Sequence, residues 1–286
     1  MTKLEFLHKV TARLKYNPLW AGILNKTGKN LYGKSWIFIT GCYNSGTTLL
    51  DQILATHPKI SGLPDEGVML TNQLVRPEDF GWRRMWVECE REMELSSRNQ
   101  SKNPNHIKKQ WSHFYELNKE FLQEKSISNI TRLNFFNEHF RPAWFIHIVR
   151  NGYAVAEGIH RKAEVMEGNI YFAKGKYPIS LCANQWVRSL QLFEENKGRL
   201  QNVIEVKYED LAEKPSEVVN DILEKIGLEK FPKDYFDKSF TIHEKNSKIK
   251  NMNPSSFNRL RANDIETINE VAGQYLTSYD YKLFEK

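Results

Sequence analysis

The run Gly41-Cys-Tyr-Asn-Ser-Gly-Thr-Thr48 has the residue types of an anion cradle. A short β-prone run, Trp36 to Ile39, leads into it, and Leu49, Leu50, Ile53 and Leu54 follow at helical spacing. The order is therefore strand, tight loop, helix. Two glycines let the loop turn its N–H groups inward, and the helix N-terminus adds partial positive charge. The spacing is that of G-x-x-x-x-G-K-[ST], except that Thr47 stands in the lysine position. A triphosphate would miss that lysine; a less charged phosphate ester would miss it less. On the loop alone, a Gly-rich turn that binds nothing is an equal reading.

Two further places carry chemistry. Asp65 and Glu66 close a short strand or loop, Lys59 to Glu66, and ligands of open parallel sheets collect at the carboxyl ends of strands. The alternative is a pair of solvated acids in a turn. Arg150 closes the apolar run Ala143–Val149, which reads as a strand buried on both faces. There it would meet a phosphate, or make an ordinary strand-end salt bridge.

The elements that must position these groups alternate between strand and helix, which argues for an α/β fold with a central parallel sheet. Residues 1–33 read as a basic helical preamble with Phe6, Leu7, Val10 and Leu14 on one face, broken by Pro18 and Gly22. Residues 34–286 read as a single α/β domain with a helical insertion at about 78–124 and a lid over 162–180. In the insertion, Trp82, Trp86, Trp111 and Phe114 suit either a local core or the wall of a substrate cleft.

With 286 residues the chain is long enough for one large domain. Its net charge of +6 attracts anions without choosing among them, and no Arg/Lys block resembles a nucleic-acid arm. No run approaches the ~20 apolar residues of a membrane span, although peripheral contact through the preamble stays open. Lysines and Arg13 interrupt every early apolar stretch, and the expected location is cytoplasmic. The three cysteines, Cys42, Cys89 and Cys182, show neither a metal pattern nor a disulfide framework.

Taken in order, these motifs resemble the sulfotransferases that use 3′-phosphoadenosine 5′-phosphosulfate, and are similar to the carbohydrate and tyrosylprotein branch of that P-loop-like fold. The Gly41–Leu50 stretch is similar to the family's 5′-phosphosulfate loop. His57-Pro58 with Glu66 resembles its acceptor-base segment, and Glu124-Lys125-Ser126 with Asn129 its E-K-[ST]-P-x-N motif, with Ile127 for proline. Phe145–Gly152 resembles the 3′-phosphate strand; Gln185-Trp186, Val206–Leu211 and Asn251-Met-Asn253 follow in the family's order. The family usually has a cation where Asn44 sits and a serine where Gly158 sits.

The resemblance implies a donor site of Asn44, Ser45, Gly46, Thr47, Thr48, Arg150, Gly158 and Tyr208, and no metal. It implies Glu66 as general base, with His160 a weaker candidate. Asn44 lies at the leaving group, and Lys125 is expected to supply the cation that Asn44 lacks. The acceptor is expected to be a hydroxyl on a small molecule or glycan: carbohydrate, glycolipid or small alcohol. A P-loop kinase or NTPase, with Asp210 as its acid, and a non-catalytic nucleotide-binding relative remain as alternatives.

Overall fold

A computed structural model describes residues 2–94, 102–237, 240–242 and 245–285. Its helices are α1 (Lys3–Leu14), α2 (Pro18–Thr27), α3 (Thr47–Ala55), α4 (Glu90–Met93), α5 (Pro104–Trp111), α6 (Leu133–His139), α7 (Gly152–Lys162), α8 (Ile179–Lys197), α9 (Tyr208–Glu213), α10 (Pro215–Lys225), α11 (Asn253–Phe257) and α12 (Ala262–Ser278). Five strands, β1 (Ser35–Gly41), β2 (Ile60–Gly62), β3 (Phe121–Glu124), β4 (Ala143–Val149) and β5 (Val203–Lys207), form one parallel sheet in the order β2-β3-β1-β4-β5. A small antiparallel pair, β6 (Phe240–Ile242) and β7 (Lys245–Ser247), follows.

Side chains alternate across the sheet and build two cores. Trp36, Phe38 and Phe145 enter one, under α7 and α8; Ile37, Ile39, Ile146 and Ile148 enter the other, with α3 and α10. On the central strands Thr40 Oγ1 and His147 Nδ1 lie 3.0 Å apart, while His147 Nε2 has no hydrogen-bond partner among the described residues. Burial pushes His147 down to about 3, so the ring stays neutral, stacked 3.8 Å from Phe193.

The helical insertion of about 78–124 ends too late. Phe121–Glu124 is strand β3, wedged between β2 and β1 in the middle of the sheet. A four-residue strand buried on both faces carries no alternation, so Phe121 falls equally well on a helical stripe. Residues 95–101 of that insertion lie outside the described residues. Its aromatics Trp86, Trp111 and Phe114 are buried in the core.

The preamble also differs. Pro18 starts a second helix instead of ending the first, because proline suits the first helical turn. The face of α1 that packs inward is Leu7, Thr11 and Lys15; Phe6 and Leu14 are exposed. Among the described residues no helix is long and apolar enough to cross a membrane.

Lys15 ties this preamble to the domain. Its Nζ donates to Val68 O at 2.6 Å and Leu74 O at 3.0 Å. Desolvation drives its pKa down to about 7, against the opposing charge of Asp79. An unfolded Lys15 would keep its ordinary value of 10.5. Between those values the unfolded chain binds the extra proton, so this residue makes stability rise with pH from about 7 to about 10.5. Thermal melts of wild type and Lys15→Met across that range should diverge in favour of wild type as pH rises. Parallel curves would contradict the assignment.

Candidate active site

A single cavity of about 1390 Å³ opens at the carboxyl ends of the strands and gathers most of the residues singled out from sequence. The loop between β1 and α3 supplies Asn44, Gly46, Thr47 and Thr48, and β4 ends in Arg150 on its wall. Asp65 and Glu66 come from the segment after β2, Lys125 from the residue after β3, Gly158 from α7 and Tyr208 from the start of α9.

The loop has the chemistry of an anion site. Among the described residues, the N–H groups of Gly46, Thr47 and Thr48 donate to no protein acceptor, and α3 has no side-chain cap. Gly46 holds φ at 93° and lies against the Tyr208 ring, where a Cβ would meet Cδ2 at 2.5 Å. Two buried polar atoms of the loop, Asn44 Nδ2 and Ser45 Oγ, have no hydrogen-bond partner. A phosphate-bearing ligand fits this donor set.

Arg150 is held from three sides. Its Nη1 donates to Asn44 O at 2.6 Å and its Nε to Asn253 Oδ1 at 2.7 Å, while its guanidinium lies 4.3 Å from the Tyr208 ring centroid. Asn253 Nδ2 in turn donates to Glu209 Oε1 at 2.6 Å. Nη2 makes no hydrogen bond to the described residues. Burial lowers its pKa, and the partial compensation comes from Tyr208 and Glu209. Asn253 and Glu209 were visible in sequence only as parts of motifs with no assigned task.

Glu66 and Lys125 form a pair. Nζ of Lys125 lies 3.1 Å from Glu66 Oε1, with the two side chains 14% and 26% exposed. Burial alone would lower the Lys125 pKa; the charges of Glu66 and Asp51 outweigh it and raise the value. Lys125 is therefore a stable cation on the cavity wall. Asp51 escaped sequence reasoning. One helical turn past Thr47, it lines the cavity, accepts from Gln123 Nε2 at 2.7 Å, and is pushed up to about 6 by burial.

Asn44 adopts a left-handed φ of 64°, and its side chain packs on Gly158. A Cβ at Gly158 would come within 3.0 Å of Asn44 Cγ. The two positions that depart from the family pattern are thus in contact. Other sequence candidates lie elsewhere. His160 turns its Nδ1 to Tyr177 O at 2.8 Å and is not on the cavity wall, and Asp210 is exposed outside it.

The cavity wall also carries Arg76, Arg83 and Arg84 from the irregular segment after β2, and Arg161, Lys162 and Arg259 from α7 and the residues beyond α11. Arg76 is paired with Asp79, Arg83 with Glu164, and Arg161 and Arg259 with Glu157. Arg84 has a left-handed φ of 57° and its guanidinium lies 5.9 Å from the Tyr43 ring centroid. Sequence reasoning missed this wall, since its residues are scattered among ordinary surface charges.

The fold resembles several solved structures. The sulfotransferase domain from the curacin biosynthetic pathway is 16% identical, with a TM-score of 0.52, over 88% of this chain and 99% of that chain. The sulfotransferase domain from the Synechococcus PCC 7002 olefin synthase is 16% identical, with a TM-score of 0.53, over 90% and 98%. Sulfotransferase STF1 from Mycobacterium tuberculosis H37Rv is 14% identical, with a TM-score of 0.53, over 95% and 81%. At such identities the likeness is one of fold. A sequence search among curated proteins finds no match. The family model for the Sulfotransferase family matches residues 36–233, most of the chain, and so this chain belongs to the Sulfotransferase family and is an enzyme of sulfuryl transfer.

Proposed function

We propose that the protein moves a sulfuryl group from 3′-phosphoadenosine 5′-phosphosulfate to a hydroxyl acceptor, a carbohydrate, glycolipid or small alcohol, by in-line displacement. The observation that carries this reading is the meeting, on one cavity, of the Glu66–Lys125 pair, Arg150 and a loop whose N–H groups have no protein acceptor. Such preorganised donors suit a reaction in which positioning and electrostatics do most of the work.

In this reading the N–H groups of Gly46, Thr47 and Thr48, with the Ser45, Thr47 and Thr48 hydroxyls, hold the 5′-phosphosulfate. The Tyr208 ring backs the loop, and Arg150 offers its remaining donor to the 3′-phosphate. Glu66 takes the acceptor proton while a new S–O bond forms and the bond to the 5′-phosphate oxygen breaks. Lys125 serves both partners. Its charge holds Glu66 in place and answers the charge growing on the leaving oxygen, a task for which Asn44 brings no charge. The Asn44 side chain packs on Gly158 and positions the loop, while its backbone carbonyl accepts from Arg150.

Trp86, Trp111 and Phe114 are locked in the core and offer the acceptor no aromatic face, while Arg84 and Lys162 on the cavity wall suit an acceptor with an anionic group or many hydroxyls.

Three measurements test these roles. Glu66→Gln should lower turnover by ~10²–10⁴-fold with the affinity for adenosine 3′,5′-bisphosphate nearly intact. Full activity would move the base to Asp51 or Asp65. Lys125→Ala should lower kcat sharply with little change in donor KM, the pattern of an interaction made in the transition state; a KM effect alone would assign it to ground-state binding. Arg150→Ala should weaken adenosine 3′,5′-bisphosphate by roughly 1.5–3 kcal/mol more than adenosine 5′-phosphate, measured by calorimetry. Equal losses for both ligands would remove the 3′-phosphate assignment.

A further inference from the structure

Residues 1–34 carry seven Lys and Arg against one acid, Glu5, a net +6 that equals the net charge of the entire chain. The same stretch holds seven of the twelve exposed large hydrophobic side chains among the described residues. Leu19 is 80% exposed, Phe6 56% and Ile23 52%. On α1 and α2 themselves the exposed Lys3, Lys9, Arg13 and Lys26 stand among the exposed Leu4, Phe6, Leu14, Leu19 and Ile23, while Lys15 is buried and Lys34 is turned onto the carbonyls of Leu117 and Lys119. Residues 35–286 are neutral in sum.

The two kinds of residue are ordered on the helices. Phe6, Lys9 and Arg13 fall on one stripe of α1, and Leu19, Ile23 and Lys26 on one stripe of α2. All six are exposed. The opposite faces are anchored. Trp20 Nε1 donates to Thr11 Oγ1 at 3.2 Å, joining the two helices, and Lys29 N donates to Ser112 Oγ at 2.8 Å beside α5. Lys15 ties α1 to the backbone at Val68, while His8 Nε2 and Asp65 Oδ2 lie 3.2 Å apart. The outward stripes are thus displayed on a fixed base beside the cavity wall that bears Asp65 and Glu66.

We propose that α1 and α2 form a docking surface for an anionic lipid bilayer. Insertion of Phe6, Leu19 and Ile23 at the headgroup boundary and attraction of the flanking cations to acidic headgroups are the two components of interfacial binding. A nucleic-acid backbone would use the cations and leave Leu19 and Ile23 in water. The proposal does not depend on the donor or acceptor assigned above, because binding is read without turnover.

Cosedimentation of the full chain with vesicles tests it. Vesicles of phosphatidylcholine with about one-third phosphatidylserine should pellet the protein, pure phosphatidylcholine should not, and high salt should weaken the binding. Lys9→Glu/Arg13→Glu/Lys26→Glu should weaken it by at least about 100-fold. Leu19→Ser/Ile23→Ser should weaken it by about 10-fold or more. Both variants change exposed side chains, so their melting temperatures should stay at the wild-type value. The proposal fails if the protein ignores acidic vesicles, binds neutral ones equally, or if either variant binds like wild type. It also fails if a lipid-free dimer disappears in Leu19→Ser/Ile23→Ser, which would seat a second copy on this face. Wild-type-strength RNA binding by Leu19→Ser/Ile23→Ser, with vesicle binding absent, would assign the surface to nucleic acid and overturn it as well.

Discussion

The carboxylate of Glu124 is the constraint on which the cavity depends. It ends β3 in the middle of the sheet with no access to water. It accepts from Gly67 N at 2.9 Å, from Asn129 Nδ2 at 2.7 Å and from the Ser126 hydroxyl. Arg132, itself buried, donates to Asn129 Oδ1 at 3.0 Å and to the carbonyls of Met93 and Val75. Burial drives Glu124 up to about 7, and its donors oppose that shift. A buried carboxylate is tolerable only when its network is fully satisfied, and such a network fixes geometry firmly. What it fixes is Gly67. The Gly67 N–H goes to Glu124, its carbonyl accepts from Trp111 Nε1 at 2.9 Å, and a Cβ there would strike Trp111 at 2.6 Å. Gly67 is thus bonded on both sides, which sets Glu66 on the cavity wall against Lys125, the neighbour of Glu124.

Arg150 plays the corresponding part on the other side of the cavity. Through Asn44 it holds the loop after β1, through Asn253 the start of α11, and through its own carbonyl it accepts from Trp186 Nε1 of α8 at 3.0 Å. Elements distant in sequence are thus registered against one guanidinium. The cavity is consequently a product of two buried polar hubs seated on strand ends, and the apolar cores behind the sheet supply the rigidity that lets those hubs act.

Much of this was legible in the residues. The Gly41–Thr48 loop and the apolar run ending in Arg150 carry local signals, and local signals survive folding. The α/β class follows from them. β3 was not legible, because four buried residues have no period and the preceding aromatics pulled Phe121 into a helical stripe. The inward face of α1 was misread for a related reason: a lysine and a threonine occupy it, held by carbonyl and hydroxyl partners that only the fold supplies. The Glu66–Lys125 pair spans 59 positions, so each residue could be proposed alone but not their contact. Asp51 and Arg84 gave no signal beyond an ordinary charged residue.

The contact between Asn44 and Gly158 bears on how this sequence can change. Any side chain at position 158 competes for the space that the Asn44 side chain occupies, whereas position 44, at a left-handed φ of 64°, becomes smaller without backbone strain only as glycine. Single substitutions are therefore ordered: a route that shrinks position 44 and then fills position 158 passes through intact intermediates, and the reverse route passes through a displaced loop. Because Arg150 grips that loop by the Asn44 carbonyl, the displaced intermediate would lose its hold on the arginine too. The two positions are therefore coupled sterically, and varying either one alone misses the combinations that varying both would reach.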